Sequence, residues 1–438
     1  MSFRGKMWTL LISSVIALYV MVGGLPFVGS LLQTQAQQPI NDAGTQLRLF
    51  ESVLEHIQSD YVDEPDLTKV RRGALRGLVS GLDPYSSYLS AEQVKSFNAG
   101  TNGKVGIGAE FSQFLQYFYV ISVIKDSNAD KAGLKGGDVI EYIENKATRD
   151  ISLYDAKEMI AGTPGSAVNL RVLRLGVKPR LIKVTRGAAK APAPESRVES
   201  GKIGVIKVHS LETGDADKIR EQVQNFSKQG VQKLVLDLRG VAGGKIEEGV
   251  AVANLFIKTG ELARIVGKEN AVLKSFTADA SKAIFDGKAN VLIDFGTAGA
   301  AEVVASAFAE SKRGDVVGER SFGAGTEQQL STLRSGDGLL LTTSKWASGS
   351  GVTFLGEERT NTGIKPTVEV KRPDTPEVGE VEELIDQQEE ENENPAPVGT
   401  PVPAATPEKA KPAAEDVQLK KALELLSDKT AAKAAGTK

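Results

Sequence analysis

Three apolar, partly β-branched runs at residues 204–208, 234–238 and 290–293 alternate with helical stretches at 216–226 and 247–256. Strands that read as near-continuous apolar runs are buried on both faces, and strands alternating with helices pack as a sheet layer against a helix layer. This half of the chain is therefore expected to form an α/β domain. Residues 105–176 have another texture, in which short β-rich runs at 117–123, 139–143 and 168–173 surround one helical stretch at 153–160. That pattern spells a small sheet domain with one prominent helix. Between the two, residues 187–199 carry Ala188, Ala189, Ala191, Pro192, Ala193 and Pro194, with too few large apolar groups to pack, and read as a linker.

Upstream, Leu47, Phe50, Val53, Leu54 and Ile57 recur at helical spacing, as do Leu67, Val70, Ala74, Leu75 and Leu78 after Asp63-Glu64-Pro65-Asp66. Two packed helices follow from this. Leu82-Asp83-Pro84-Tyr85-Ser86 is turn chemistry, and Ser90 is placed to cap a short helix starting near Ala91. At the start of the chain, Arg4 and Lys6 precede an apolar stretch over residues 7–32, followed by Thr34-Gln35-Ala36. This reads as a signal peptide or, since the stretch is long enough to span a bilayer, a retained membrane anchor. The expected location is outside the cytoplasm, in the periplasm or anchored facing the periplasm or cell exterior. At the other end, residues 377–393 are strongly acidic and read as solvated linker, residues 394–414 are rich in Pro and Ala and expected to be disordered, and residues 416–426 return to a helical pattern suited to capping the fold.

The expected order is thus 1–36 signal or anchor, 37–100 helical region, 101–186 small sheet domain, 187–199 linker, 200–372 α/β core, 373–415 linker and 416–438 helix and tail. With 438 residues and 41% hydrophobic content the chain has material for two or three cores. A formal charge of −3 leaves no footprint for phosphate backbones, so nucleic acid is not an expected partner. The absence of cysteine excludes disulfides and cysteine catalysis, and the two histidines, His56 and His209, stand apart, so neither a metal site nor a cofactor is expected.

Gly106-Ile107-Gly108 opens the small sheet domain, and Ala132-Gly133-Leu134-Lys135-Gly136-Gly137-Asp138 sits at a turn between its strands. These two segments resemble a PDZ domain of the peptidase type. Successive N–H groups in a glycine turn hold a carboxylate while the neighbouring sheet edge pairs with an extended peptide, which makes Gly106, Ile107 and Gly108 the candidate peptide-binding residues. Asp237-Leu238-Arg239-Gly240-Val241-Ala242-Gly243-Gly244, Thr297-Ala298-Gly299-Ala300-Ala301-Glu302, Phe322-Gly323-Ala324-Gly325 and Gly363-Ile364-Lys365-Pro366-Thr367 follow in order. Together they resemble the C-terminal processing peptidases, the tail-specific proteases of serine peptidase family S41, over roughly residues 45–370. The resemblance implies a multidomain α+β and α/β fold, with an N-terminal helical region, an inserted PDZ domain and a core of the ClpP/crotonase type.

Members of that family cleave with a serine whose proton a lysine accepts, while backbone N–H groups stabilise the oxyanion. By the resemblance, Gly299 stands at the nucleophile's position and Ala324 at the base's, at the family's own spacing. Gln328 matches the glutamine after the base, and Gly243 and Gly244 keep the oxyanion turn. Val241, Ala301, Glu327 and Thr367 also depart from the pattern, a spread that points to a natural pseudopeptidase. Such a protein would bind protein C-termini or extended, unfolded polypeptides, or regulate an active relative. The alternatives are an active serine-type peptidase with a relocated nucleophile, for which Thr297 is the nearest hydroxyl and Lys312 a nearby amine, and a structural assembly part.

Overall fold

The computed structural model describes residues 42–357, 361–372, 383, 385 and 415–427. The expected signal or anchor at 1–36 and the Pro/Ala-rich stretch at 394–414 lie outside the described residues. Among the described residues, no helix is long and apolar enough to cross a membrane. The chain divides into two units, 1–74 and 75–438.

Both expected N-terminal helices form, α1 over Ala43–Asp60 and α2 over Leu67–Ser80. Asp42 caps α1 by accepting from the Thr45 N–H at 3.2 Å. The packing expected between them does not appear as burial, because α1 buries none of its residues and Leu47 stays 68% exposed. A short strand β1 (Ser87–Leu89) and helix α3 (Ala91–Asn98) follow, and Ser90 caps α3 in a reciprocal box with Gln93.

The small sheet domain runs β2 (Ala109–Phe114), β3 (Tyr117–Val123), α4 (Asn128–Lys131), β4 (Val139–Ile143), β5 (Lys146–Ala147), α5 (Leu153–Ile160), β6 (Ala167–Arg174) and β7 (Val177–Thr185). Its sheet order is β2-β3-β4-β6-β7, so β2 is an edge strand. Ile140, Leu170, Val172 and Val184 of the sheet close a core with Leu153, Ala156 and Ile160 of α5. The three expected strands and the helix fall within a residue of their expected bounds.

The second half is the α/β layer: β8 (Glu195–Glu199), β9 (Ile203–Lys207), α6 (Asp215–Lys228), β10 (Lys233–Asp237), α7 (Ile246–Asn254), β11 (Glu261–Val266), β12 (Val272–Thr277), β13 (Lys288–Ile293), α8 (Ala300–Glu310), β14 (Val316–Gly318), β15 (Thr326–Thr332), β16 (Gly338–Ser348), β17 (Val368–Glu369) and α9 (Val417–Leu426). One sheet has the order β17-β14-β13-β10-β9-β8, parallel except for β8. Alternation along β10 divides its side chains, with Leu234 and Leu236 joining α6, α7 and α8 on one face and Val235 joining Ala422 and Leu426 of α9 on the other. The tail helix therefore covers a sheet face, the capping role expected of it. A second, antiparallel sheet orders β1-β16-β11-β12, with β15 on β16.

Two parts of the expected linkers differ. Residues 195–199 are not linker but the edge strand β8, held antiparallel to β9 by backbone pairing, which needs no apolar side chains. Within the acidic run read as solvated, Ile385 is buried at 5% exposure.

Candidate active site

The site forms where α8 begins. Gly299 is the N-cap of α8 and holds φ 65° and ψ −120°, a backbone region that side-chain-bearing residues enter only under strain. Its N–H donates to Glu302 Oε2 at 2.9 Å, one turn into the helix. A Cβ placed on Gly299 would stand 2.7 Å from the Gly243 carbonyl oxygen, and that oxygen accepts the Ala300 N–H at 3.0 Å. Gly243 and Gly244 both take positive φ, and a Cβ on Gly244 would reach within 2.6 Å of the Leu211 carbonyl oxygen. The 240–244 turn therefore lies hard against the start of α8, with a carbonyl turned toward it.

Glu302 ties the two candidate segments together. Fully buried, it accepts from Ser321 Oγ at 2.5 Å, Gly323 N at 2.8 Å and Ala324 N at 2.9 Å as well as from Gly299. Burial pushes its pKa up to about 7, and these donors only partly offset it. In the sequence this glutamate is only the last residue of the 297–302 motif; its place between 299 and 324 emerges from the fold.

Ala324 presents a methyl where an amine is expected. Around it, Phe295 and Phe322 of the α/β domain meet Phe114 and Tyr119 of β2 and β3. Tyr119 stacks on Phe322 at 5.8 Å between centroids, and Phe295 meets Phe322 at 5.3 Å. Gln328 is held elsewhere: its Nε2 donates to Thr326 Oγ1 at 2.7 Å and Thr342 Oγ1 at 3.2 Å. Thr342 in turn donates to Asp83 at 3.0 Å and its N–H to Ser86 Oγ at 3.0 Å, so the Asp83 turn buttresses the glutamine.

The face of β2 turned away from its own core closes over this region. Ser112 donates to the hydroxyl of the half-buried Tyr85 at 3.1 Å, and loss of solvent around that hydroxyl pushes the Tyr85 pKa up to about 12. Glu110 approaches the 243 turn, its carboxyl carbon 3.4 Å from where a Gly243 Cβ would stand. Burial raises the Glu110 pKa against the opposing pull of Lys157.

The candidate substitutes are placed otherwise. Thr297 is fully buried; its Oγ1 accepts the Asp294 N–H at 3.0 Å and lies 3.0 Å from the Leu238 carbonyl it donates to, so no free hydroxyl faces the site. Lys312 is exposed and lies past the end of α8. His209 pairs with Glu195 at 3.2 Å, and burial followed by the Lys207 charge lowers its pKa. His56 pairs with Asp60 on α1. Among the described residues no group of three or more His, Asp or Glu is arranged to hold a metal. Of the remaining departures, Val241 is buried and its carbonyl accepts the Ala298 N–H at 2.9 Å. Glu327 accepts from Trp346 Nε1 at 3.1 Å and Ser344 Oγ at 3.0 Å. Thr367 Oγ1 accepts from Val316 N at 2.9 Å and donates to Val316 O at 3.1 Å, tying β14 to the start of β17.

The candidate peptide loop stands at the mouth of the small sheet domain. The N–H groups of Gly106, Ile107 and Gly108 have no acceptor among the described residues, while the Gly106 carbonyl accepts from Gly187 at 2.9 Å and that of Gly108 from Ile124 at 2.9 Å. Gly108 has φ +88°, and a Cβ there would overlap Ser127.

Residues 202–370 match the family model described as Peptidase family S41, and residues 119–174 match that of a PDZ domain. The chain is 33% identical over 322 residues to the carboxy-terminal processing protease CtpA of Bacillus subtilis, covering 73% of this chain and 68% of that protein. It is likewise 33% identical over 331 residues to a probable CtpA-like serine protease of Staphylococcus aureus, covering 75% and 65%. Among solved structures, the photosystem II D1 C-terminal processing protease superposes with a TM-score of 0.60 at 26% identity, over 74% of this chain and 92% of that one. Matches of this identity and coverage place the chain in Peptidase family S41, among the carboxy-terminal processing proteases.

Proposed function

We propose that this chain is a catalytically inactive member of the family that binds protein C-termini or extended polypeptides in the cell envelope. One observation carries the reading: where attack and proton transfer would need a hydroxyl and an amine, Gly299 and Ala324 offer neither, and the Gly243 carbonyl consumes the Ala300 N–H that would face an oxyanion. Thr297 does not replace the nucleophile, because its hydroxyl is committed to Leu238. What remains suits recognition. Gly106, Ile107 and Gly108 present N–H groups without acceptors among the described residues beside the edge strand β2, the chemistry that takes a carboxylate and an added strand. The basic and apolar start of the chain supports export to the envelope, by cleaved signal or retained anchor.

The test uses protein lacking residues 1–36 and a fluorescent peptide library with free or amidated C-termini. Binding in the micromolar range that is lost on amidation is expected; no binding to any free C-terminus sinks the reading. In parallel, the protein is incubated with an unstructured protein. Cleavage that Thr297→Ala abolishes would overturn the inactive assignment.

A further inference from the structure

The PDZ domain meets the α/β domain through a largely apolar seam, in which Phe114, Tyr119 and Ile121 of β2 and β3 cluster with Ala242, Phe295 and Phe322. The approach is close: a Cβ on Gly296 would stand 3.2 Å from the Ile121 carbonyl oxygen. One carboxyl enters this seam. Glu110, on β2, is half-buried against Gly243 and makes no hydrogen bond or ion pair among the described residues. Its surroundings do little to hold a charge. Ser122 stands opposite it on β3, and the 240–244 turn carries no ionisable side chain. The Tyr85 hydroxyl, before β1, lies in the field of Glu110, Glu302 and Asp83 together. Loss of solvent raises the Glu110 pKa, the Lys157 ammonium of α5 opposes the rise, and the Glu212 carboxylate, on the loop before α6, adds to it. A carboxylate so placed is relieved when the two faces part and water reaches it.

We propose that Glu110 is a pH-sensitive latch between the two domains: with its carboxyl uncharged, β2 and β3 sit closed on the 240–244 turn, and loss of its proton drives the PDZ domain off that turn. The latch stands whether or not a peptide binds the 106–108 loop. Its sign follows from linkage. The closed state keeps the Glu110 proton to higher pH than the open state, where a solvated glutamate titrates near ~4.3. Closure is therefore strongest in acid and weakens as pH rises through the closed-state value. The aromatic contacts of the seam, Tyr119 on Phe322 at 5.8 Å among them, are indifferent to pH and supply the closing force.

Because the chain contains no cysteine, Ala242→Cys in the full-length protein supplies a single thiol in the seam. Its protection is the rate of reaction with an aromatic disulfide in urea divided by the rate in the folded protein at the same pH, a ratio that cancels the thiol's own titration. Protection is expected to be roughly tenfold higher at pH 5 than at pH 8. Adding Glu110→Gln, which cannot ionise, is expected to hold it at the pH 5 level throughout. Adding Phe322→Ala, which loosens the apolar contact, should lower it at both pH values. Equal protection at pH 5 and pH 8 without further substitution overturns the latch, and so does a fall that persists undiminished in Glu110→Gln. Should Glu110→Gln lose protection at every pH, Glu212→Gln decides: removing that repulsion must lessen the fall, and an unchanged fall overturns the proposal.

Discussion

The Ala300 N–H donates to the Gly243 carbonyl at 3.0 Å, across the point where a side chain at 299 would emerge. The N–H that follows a nucleophile at a helix N-terminus is an oxyanion donor. Here that donor is spent, and an acceptor points into the site. Restoring a serine thus places a side chain on a backbone at φ 65° and pushes it against the Gly243 carbonyl. Gly299→Ser is expected to lose about 1–3 kcal/mol of stability in urea unfolding. The Gly299→Ser, Ala324→Lys double variant is expected to leave an unstructured protein uncut; cleavage would mean that the 240–244 turn swings its donors back.

Glu302 makes stability depend on pH. Burial raises its folded pKa to about 7, while an unfolded glutamate titrates near ~4.3. Between those values the folded state holds the extra proton, so stability falls as pH rises through the window and is level above it. The full drop is roughly 4 kcal/mol. Urea midpoints of the natural protein should therefore fall between pH 5 and pH 8, and Glu302→Gln, which cannot ionise, should flatten that difference. An unchanged slope in Glu302→Gln would place the titration elsewhere.

Much of this fold is legible in the sequence because its strands and helices carry the period of their own environment. Strands buried on both faces, such as β10 and β13, read as apolar runs, and α5 reads within its observed bounds. The antiparallel sheet was not legible. Its strand β12 keeps Val272 and Leu273 largely exposed and β15 alternates Thr, Glu and Gln, so their pairing with β11 and β16 is a tertiary choice. At the candidate site, Gly299 and Ala324 are singled out by their place in shared motifs. The hydrogen bonds that join them through Glu302 are not, since residues 302, 321 and 323 meet only once α8 and the loop after β14 are assembled. Ile385 is the extreme case: its neighbours in sequence argue for solvent, while it is buried in an apolar cluster with Tyr119, Ile121 and Phe322 that forms only in the folded chain.

The proposed peptide capture rests on a backbone that only glycine adopts without strain. Gly108 has φ +88°, and an added Cβ would stand 2.3 Å from Ser127 Cβ and 2.8 Å from Ala189 Cβ. Gly108→Ala must shift the 106–108 loop or the adjoining linker, and is expected to weaken C-terminal peptide binding at least tenfold, with a stability loss of about 1–3 kcal/mol. Gly106→Ala, where a Cβ meets nothing within 4 Å, should leave both nearly unchanged. Equal effects of the two would detach binding from loop geometry.

The tail helix is fastened by charge as well as by apolar contact. Arg239 donates to Asp237 at 2.9 and 2.7 Å and, through both Nη atoms, to Asp416 at 2.8 Å each. Burial alone would raise the Asp237 pKa, but Lys207 and Arg239 outweigh it and hold the carboxyl at about 2. Arg239→Ala leaves Asp237 buried with the Lys207 ammonium at 3.2 Å and the backbone N–H of residue 239 at 3.1 Å but without the guanidinium, so a loss of roughly 3–5 kcal/mol is expected. Asp416→Asn, at a 40% exposed partner, should cost about 1 kcal/mol or less. A carboxylate whose pKa is depressed contributes stability above its unfolded value near ~3.9 and loses it as pH falls toward the folded one. The gap between Arg239→Ala and the natural chain should therefore be widest at neutral pH and narrow as Asp237 takes up its proton near pH 2. Urea titrations at pH 7 and in acid separate this electrostatic fastening from simple loss of packing, which would leave the gap constant.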